Sequence, residues 1–194
     1  MLQIILIRPG WTDYDQQQRI QGTLDIPLND QGSLEVTQLI DQLSGKGIET
    51  IYASASQPAE QTARAIAEGL AVKLKKLDRM QNLDHGLWQG MLVQDVRRKQ
   101  PKVYRQWQEQ PENVCPPEGE MLSHAEQRVR TAVTKLLKRH KQGVIGLVVP
   151  EPLASLVRRF LQQSELGDLW KVANGHGHWE VVEIEPEEVL AHAG

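Results

Sequence analysis

The sequence predicts an α/β fold, a three-layer α/β/α sandwich in which a mostly parallel sheet is covered by helices on both faces. Two observations carry this. Leu2 to Ile7 is a nearly continuous apolar run with three isoleucines, the pattern of a strand buried on both faces. After it, stretches with helical and strand periodicity alternate in the order βαβαβ up to residue 77, which favours a wound sheet with its sites at the carboxyl ends of the strands.

The first strand ends at Pro9-Gly10. Between Ser33 and Leu43, Val36, Leu39, Ile40 and Leu43 follow helical spacing, and Gly45 and Gly47 stop the helix. Ile48 to Ala53 reads as the second strand, Ala59 to Leu70 as the second helix and Val72 to Leu77 as an alternating third strand. Residues 86–122 are rich in Trp, Gln and Pro, with Pro101, Pro111, Pro116 and Pro117 dividing them, so an excursion of short helices is expected there. Ser123-His124-Ala125-Glu126 reads as a capping box for a helix whose buried face is Ala125, Val129, Ala132, Val133, Leu136 and Leu137. Val144 to Val149 is another buried strand, Leu153 to Gln162 another helix and His178 to Ile184 a last strand.

At 194 residues and 40% hydrophobic content, one domain is expected. A net charge of −3, with 22 basic and 25 acidic residues interspersed, speaks against nucleic acid or an anionic membrane as partner. The N-terminal apolar run is too short for a secretion signal with a cleavage site, and no stretch approaches the ~20 apolar residues that span a bilayer. A cytoplasmic protein is therefore expected. Cys115 is the single cysteine and has no basic neighbour, so it is expected to be an unreactive thiol.

Leu6-Ile7-Arg8-Pro9-Gly10-Trp11-Thr12 resembles the signature in which the histidine phosphatase (phosphoglycerate mutase-like) superfamily delivers Arg-His-Gly-x-Thr into its active site. Arg19-Ile20-Gln21-Gly22-Thr23-Leu24-Asp25-Ile26-Pro27-Leu28 is similar to that family's Arg-x-Gln-Gly-x-x-Asp-x-Pro-Leu segment almost letter for letter. Gln61-Thr62-Ala63, Gly86-Leu87-Trp88-Gln89-Gly90 and Pro117-Glu118-Gly119-Glu120 follow in the family's order, so the resemblance runs to about residue 185. It implies a phosphoglycerate mutase-like domain over residues 1–194, with the excursion at about 86–122 lying over the cleft.

The resemblance also implies a chemistry. A histidine attacks phosphorus, two arginines and a second histidine hold the phosphoryl oxygens, and a carboxylic acid protonates the leaving group. Carried over position by position, only Arg8 survives. The nucleophile position is Pro9, the second arginine is Pro58, the acid is Asn82 and the second histidine is Glu151. The sequence reading is therefore a pseudoenzyme of this family, with a binding, regulatory or assembly role through the altered cleft or its lid. The alternative is a phosphatase or mutase-like enzyme with relocated chemistry on His85 or Glu151.

Arg8, Arg19, Trp11 and His85 are the candidates for residual ligand binding, and an Arg8–Glu151 ion pair is expected because the two motifs converge in the family fold. The prolines at 9, 58, 150 and 152 are expected at strand ends. His176 and His178 have the spacing to project from one strand face, but without a third ligand neither a metal nor any other cofactor is expected. The partner is left as an unidentified protein or small molecule.

Overall fold

The computed structural model describes residues 1–172 and 176–192. Gly175, which the sequence reading places before the last strand, lies outside the described residues. The elements are β1 (Leu2–Ile7), α1 (Asp13–Gln16), α2 (Asp30–Leu43), β2 (Thr50–Ala53), α3 (Gln57–Gly69), β3 (Lys73–Lys76), α4 (Val93–Lys99), α5 (Pro101–Glu109), α6 (Leu122–Arg139), β4 (Gly143–Val148), α7 (Leu153–Gln162), α8 (Leu169–Val172), β5 (Trp179–Ile184) and α9 (Pro186–Ala191). The five strands form one sheet in the order β3-β2-β4-β1-β5, parallel except for β5.

The period-two alternation of β1 divides the core. Leu2, Ile4 and Leu6 pack with α6 and α7, whereas Ile5 and Ile7 pack on the opposite face with Val36, Leu39 and Leu43 of α2 and with Ala59, Ala63 and Ile66 of α3. β2 alternates likewise, sending Tyr52 to the first face and Ile51 and Ala53 to the second. The excursion extends the first core: Trp88 and Trp107 are both buried in it.

The expected element order holds, with local corrections. α2 begins at Asp30, earlier than its apolar face suggested, because Asn29 Oδ1 accepts from the Gly32 N–H at 2.8 Å and caps the helix. The capping box read at Ser123 is not there. α6 starts at Leu122, a fully buried anchor, its N-cap Met121 makes no side-chain cap bond, and Glu126 pairs instead with Arg159 at 3.0 Å. The capping box that does form is Thr12 with Asp15 at α1, a helix too short for periodicity to reveal. α8 and α9 were hidden for the same reason.

The turn leaving β1 packs backbone to backbone on the first turn of α2. A Cβ on Gly10 would lie within 3.0 Å of the Gly32 carbonyl carbon, and one on Gly32 would lie 2.7 Å from the Trp11 nitrogen. Neither neighbour can swing away, since both are main chain. Gly32→Ala should therefore lower stability by about 1–3 kcal/mol, measured by denaturant titration, through forced separation of the two segments.

Candidate functional site

Because β1 and β4 are parallel neighbours, with Ile7 opposite Val148, the segments that leave their carboxyl ends emerge side by side. One carries Arg8-Pro9-Gly10, the other Pro150-Glu151-Pro152. Both meet the excursion, and a cavity of about 80 Å³ forms between them. Its wall includes Pro9, Pro58, Asn82, His85, Glu151 and Arg19, so six of the residues singled out in the sequence converge there.

Arg8, next to the cavity-lining Pro9, is 2% exposed and does not itself border the cavity. Its Nε donates to Glu151 Oε1 at 2.9 Å and its Nη1 to Glu180 Oε1 at 2.6 Å. The expected ion pair with Glu151 is thus present, and a second carboxylate that sequence reading missed is added to it. Glu151 is itself 4% exposed, and its other oxygen accepts from the Ser155 hydroxyl at 2.7 Å and the Ser155 N–H at 3.2 Å. Glu180 also faces Arg158, at 3.8 Å. A buried guanidinium needs this compensation, since an unpaired charge in such a place is far more costly than a paired one.

The segment after Arg8 is pinned by main-chain donors. Gly10 N–H donates to Thr62 Oγ1 at 3.1 Å and Trp11 N–H to Glu35 Oε2 at 3.0 Å. Pro9 has neither an N–H nor a nucleophilic atom. Asn82 is buried and fully engaged, its amide N–H groups donating to the carbonyls of Gly22 and Glu151, both at 3.2 Å, while its Oδ1 accepts from Leu83 N–H at 2.9 Å. Arg19 borders the cavity with Nε on Gln17 Oε1 at 2.8 Å and Nη1 on the Gly90 carbonyl at 2.7 Å.

His85 is buried at 6% exposure against Trp107, ring centroids 5.5 Å apart, and its Nδ1 has no partner among the described residues. Burial pushes its pKa down to about 4, against weaker upward pulls from Asp84 and Glu120, so at neutral pH it is an uncharged imidazole. Asp15 also lines the cavity, and burial raises its carboxyl pKa despite the bonds from the Thr12 N–H and hydroxyl.

Other candidates are placed differently from the sequence reading, although Pro58 and His176 both border the cavity. Trp11 does not line the cavity; its ring packs on His176, centroids 4.3 Å apart, while its main-chain N–H is held by Glu35. Pro58 is not at a strand end but in the first turn of α3, a position that tolerates proline because no helical partner awaits its nitrogen. His176 and His178 precede β5 instead of sharing a strand face: His176 Nδ1 contacts Glu35 at 3.0 Å, and His178 Nδ1 the His176 carbonyl. Among the described residues no cluster of His, Cys, Asp and Glu is arranged to hold a metal ion. Cys115 is exposed. No helix among the described residues is long and apolar enough to cross a membrane.

The residues that sequence reading missed are Asp15, Glu180, Ser155, Trp107 and Trp170. The last two form an aromatic wall of the cavity, with centroids 6.1 Å apart. Asp15 had a legible signal in the Thr12-x-x-Asp15 capping spacing. Glu180 had none, since only the antiparallel register of β5 against β1 sets it beside Arg8.

The model of the histidine phosphatase superfamily (branch 1) matches residues 4–193. Phosphoserine phosphatase 1 of Hydrogenobacter thermophilus is 31% identical over 186 residues, 95% of this chain and 88% of that protein. A bifunctional protein of Mycobacterium tuberculosis is 28% identical over 158 residues, and there the match spans 80% of this chain but only 43% of the relative. Among solved structures, Bacillus stearothermophilus YhfR superposes with a TM-score of 0.82 at 23% identity, covering 94% of this chain and 91% of that one. A mycobacterial glucosyl-3-phosphoglycerate phosphatase gives 0.82 at 22% identity, covering 93% and 92%. The phosphoglycerate mutase-like fold, the ordered motifs ending on one cavity and the match over nearly the whole length agree: this chain belongs to the histidine phosphatase superfamily, branch 1.

Proposed function

We propose that this chain keeps the histidine phosphatase scaffold and uses the altered pocket to bind a ligand instead of transferring a phosphoryl group. The observation that carries the reading is Arg8, the one family-like phosphate clamp, enclosed by Glu151 and Glu180. A phosphate dianion would have to displace or face these carboxylates. At an effective dielectric near 20, a like-charge pair at ~4 Å costs roughly 4 kcal/mol, enough to cancel the attraction of the arginine. Pro9 offers no nucleophile, and Asn82 has no titratable proton to give a leaving group.

A second reading, a phosphomonoesterase with relocated chemistry, has its own support. The relatives that match are named as phosphatases and mutase-like proteins, and the comparisons on their own favour this reading over a pseudoenzyme. The pocket also holds His85, an unprotonated imidazole at neutral pH, in the state a phosphorus nucleophile requires. Glu151, the other candidate, is engaged by Arg8 and Ser155 through both oxygens. The relatives' names speak for the second reading and the geometry for the first.

Turnover separates them. Purified protein given a generic phosphomonoester should show no hydrolysis above that of its His85→Ala variant; hydrolysis abolished by that substitution would establish the second reading. Glu151→Gln, which keeps a hydrogen-bonding side chain beside Arg8 and Ser155 but removes a charge, should cost about 1.5–3 kcal/mol of stability and tighten inorganic phosphate binding, both measurable by calorimetry. The buried His85 gives a pH signature. Its folded pKa, about 4, lies below its ordinary 6.5, so the unfolded chain binds the extra proton first. Stability from this group is complete above pH 6.5 and falls by about 3 kcal/mol as the pH drops toward 4, a slope that His85→Phe should remove from the denaturation profile.

A further inference from the structure

We propose that the open edge of β3, with the cations gathered around it, is a docking surface for an acidic, extended segment of a partner protein, which adds to the five-stranded sheet as a further strand. None of Lys73 to Lys76 lines the cavity, so this inference is independent of what the cavity binds.

The main chain supplies the first half of the surface. β3 is the last strand on its side of the sheet and pairs only with β2. Leu77 N–H donates to the Ala53 carbonyl, and in a parallel ladder the groups that face the neighbour recur at every second residue. The N–H and C=O of Lys75 therefore turn toward β2, while those of Leu74 and Lys76 turn outward, spaced as an incoming strand requires. A row of this kind pairs with an extended chain unless the side chains beside it select what approaches.

The side chains make that selection by charge. Lys73 and Lys75 share the sheet face of Tyr52, with Lys75 Nζ 5.7 Å from the centre of its ring. The Tyr52 hydroxyl meets His140 Nε2 at 2.7 Å, which brings the end of α6 to the same corner, Lys138 and Arg139 preceding the imidazole and Lys141 following it. His140 registers the local field: burial lowers its pKa first, and Lys75 and Arg139 lower it further against the pull of Glu49. On the other face Lys76 is held by Glu60 at 3.1 Å and Leu74 packs on the second core. Lys73, Lys75, Lys138, Arg139 and Lys141 are exposed and form no ion pair with any described residue. In a chain of net charge −3 this is a segregated cluster of one sign. Lysines on an edge guard it against the same edge of a second copy, and the same charges draw in a strand that carries carboxylates. Strand alternation sets the pattern of that segment: carboxylates at every second position beside Lys73 and Lys75, and apolar side chains between them beside Leu74. A nucleic acid or a lipid headgroup answers the charges but leaves the outward N–H and C=O groups unused.

The test uses the full chain at low salt and three end-blocked octapeptides: alternating glutamate and valine, the same peptide with its central main-chain amides methylated, and alternating lysine and valine. Calorimetry gives the affinities and NMR follows the His140 ring. The glutamate peptide should bind and the lysine peptide should not. The methylated peptide keeps every charge but loses main-chain donors, so it should bind at least about tenfold more weakly. In the complex the His140 pKa should rise, because the added carboxylates offset Lys75 and Arg139. The double variant Lys73→Glu with Lys75→Glu, both exposed positions, should weaken the glutamate peptide at least about tenfold. Failure of the glutamate peptide to bind, equal affinity for the two acidic peptides, or affinity unchanged in the double variant overturns the inference. So does a single-stranded oligonucleotide of matched charge that binds as tightly, and so does a dimer of the free chain that the double variant abolishes, which would give the edge to a second copy. None of these outcomes bears on the reading of the cavity, since none of the substituted residues borders it.

Discussion

The parallel pairing of β1 with β4 is the constraint on which the site depends. Strands buried on both faces carry almost entirely apolar side chains, so chemistry has to wait until the chain leaves the sheet. The register from Leu2 opposite Gly143 to Ile7 opposite Val148 brings both chains out together, and residues far apart in sequence, Arg8 and Glu151, then meet at 2.9 Å. β5, running antiparallel on the other side of β1, adds Glu180 to the same guanidinium. Two strand registers thus bring a three-residue ion cluster together just where the chain leaves the sheet.

The motif residues divide by what they touch. Those that match the family hold loops together: Gln61 Oε1 accepts from the Leu28 N–H, Thr62 Oγ1 from the Gly10 N–H and Gln89 Oε1 from the Thr23 N–H and hydroxyl, while the Gln21 side chain lies against the Thr12 hydroxyl at 3.1 Å. Each bond satisfies a polar group of a turn or loop, and the one from the Gly10 N–H is buried, so losing Thr62 Oγ1 would leave that donor unpaired. Those that depart from the family, Pro9, Pro58, Asn82 and Glu151, all border the cavity. Matching residues thus hold the scaffold and departing residues line the cavity, which is the pattern expected where folding and the site's chemistry fall on separate side chains.

A buried arginine between two glutamates is not in itself a stabilising device, because desolvation offsets much of the attraction. Its consequence here is that the Arg8 guanidinium is held between two carboxylates. The other polar side chains on the cavity wall include Asp15, Arg19, His85 and His176, beside Trp107 and Trp170.

The sequence by itself determined the fold class, the order of nearly all the main elements, the family and the residues at the altered positions, because these follow from local periodicity and from short motifs whose letters stand next to one another. Even the Arg8–Glu151 pair was legible, since both residues belong to motifs known to converge. Tertiary structure alone decided that Glu180 completes that pair, that Trp11 turns away to His176 while Trp107 and Trp170 form the wall, that Pro58 opens a helix, and that Asp15 keeps one oxygen unbonded. Each of these depends on strand register or on the packing of one loop against another. Such distances are set by the burial of the whole core and leave no mark in the spacing of residues along the chain.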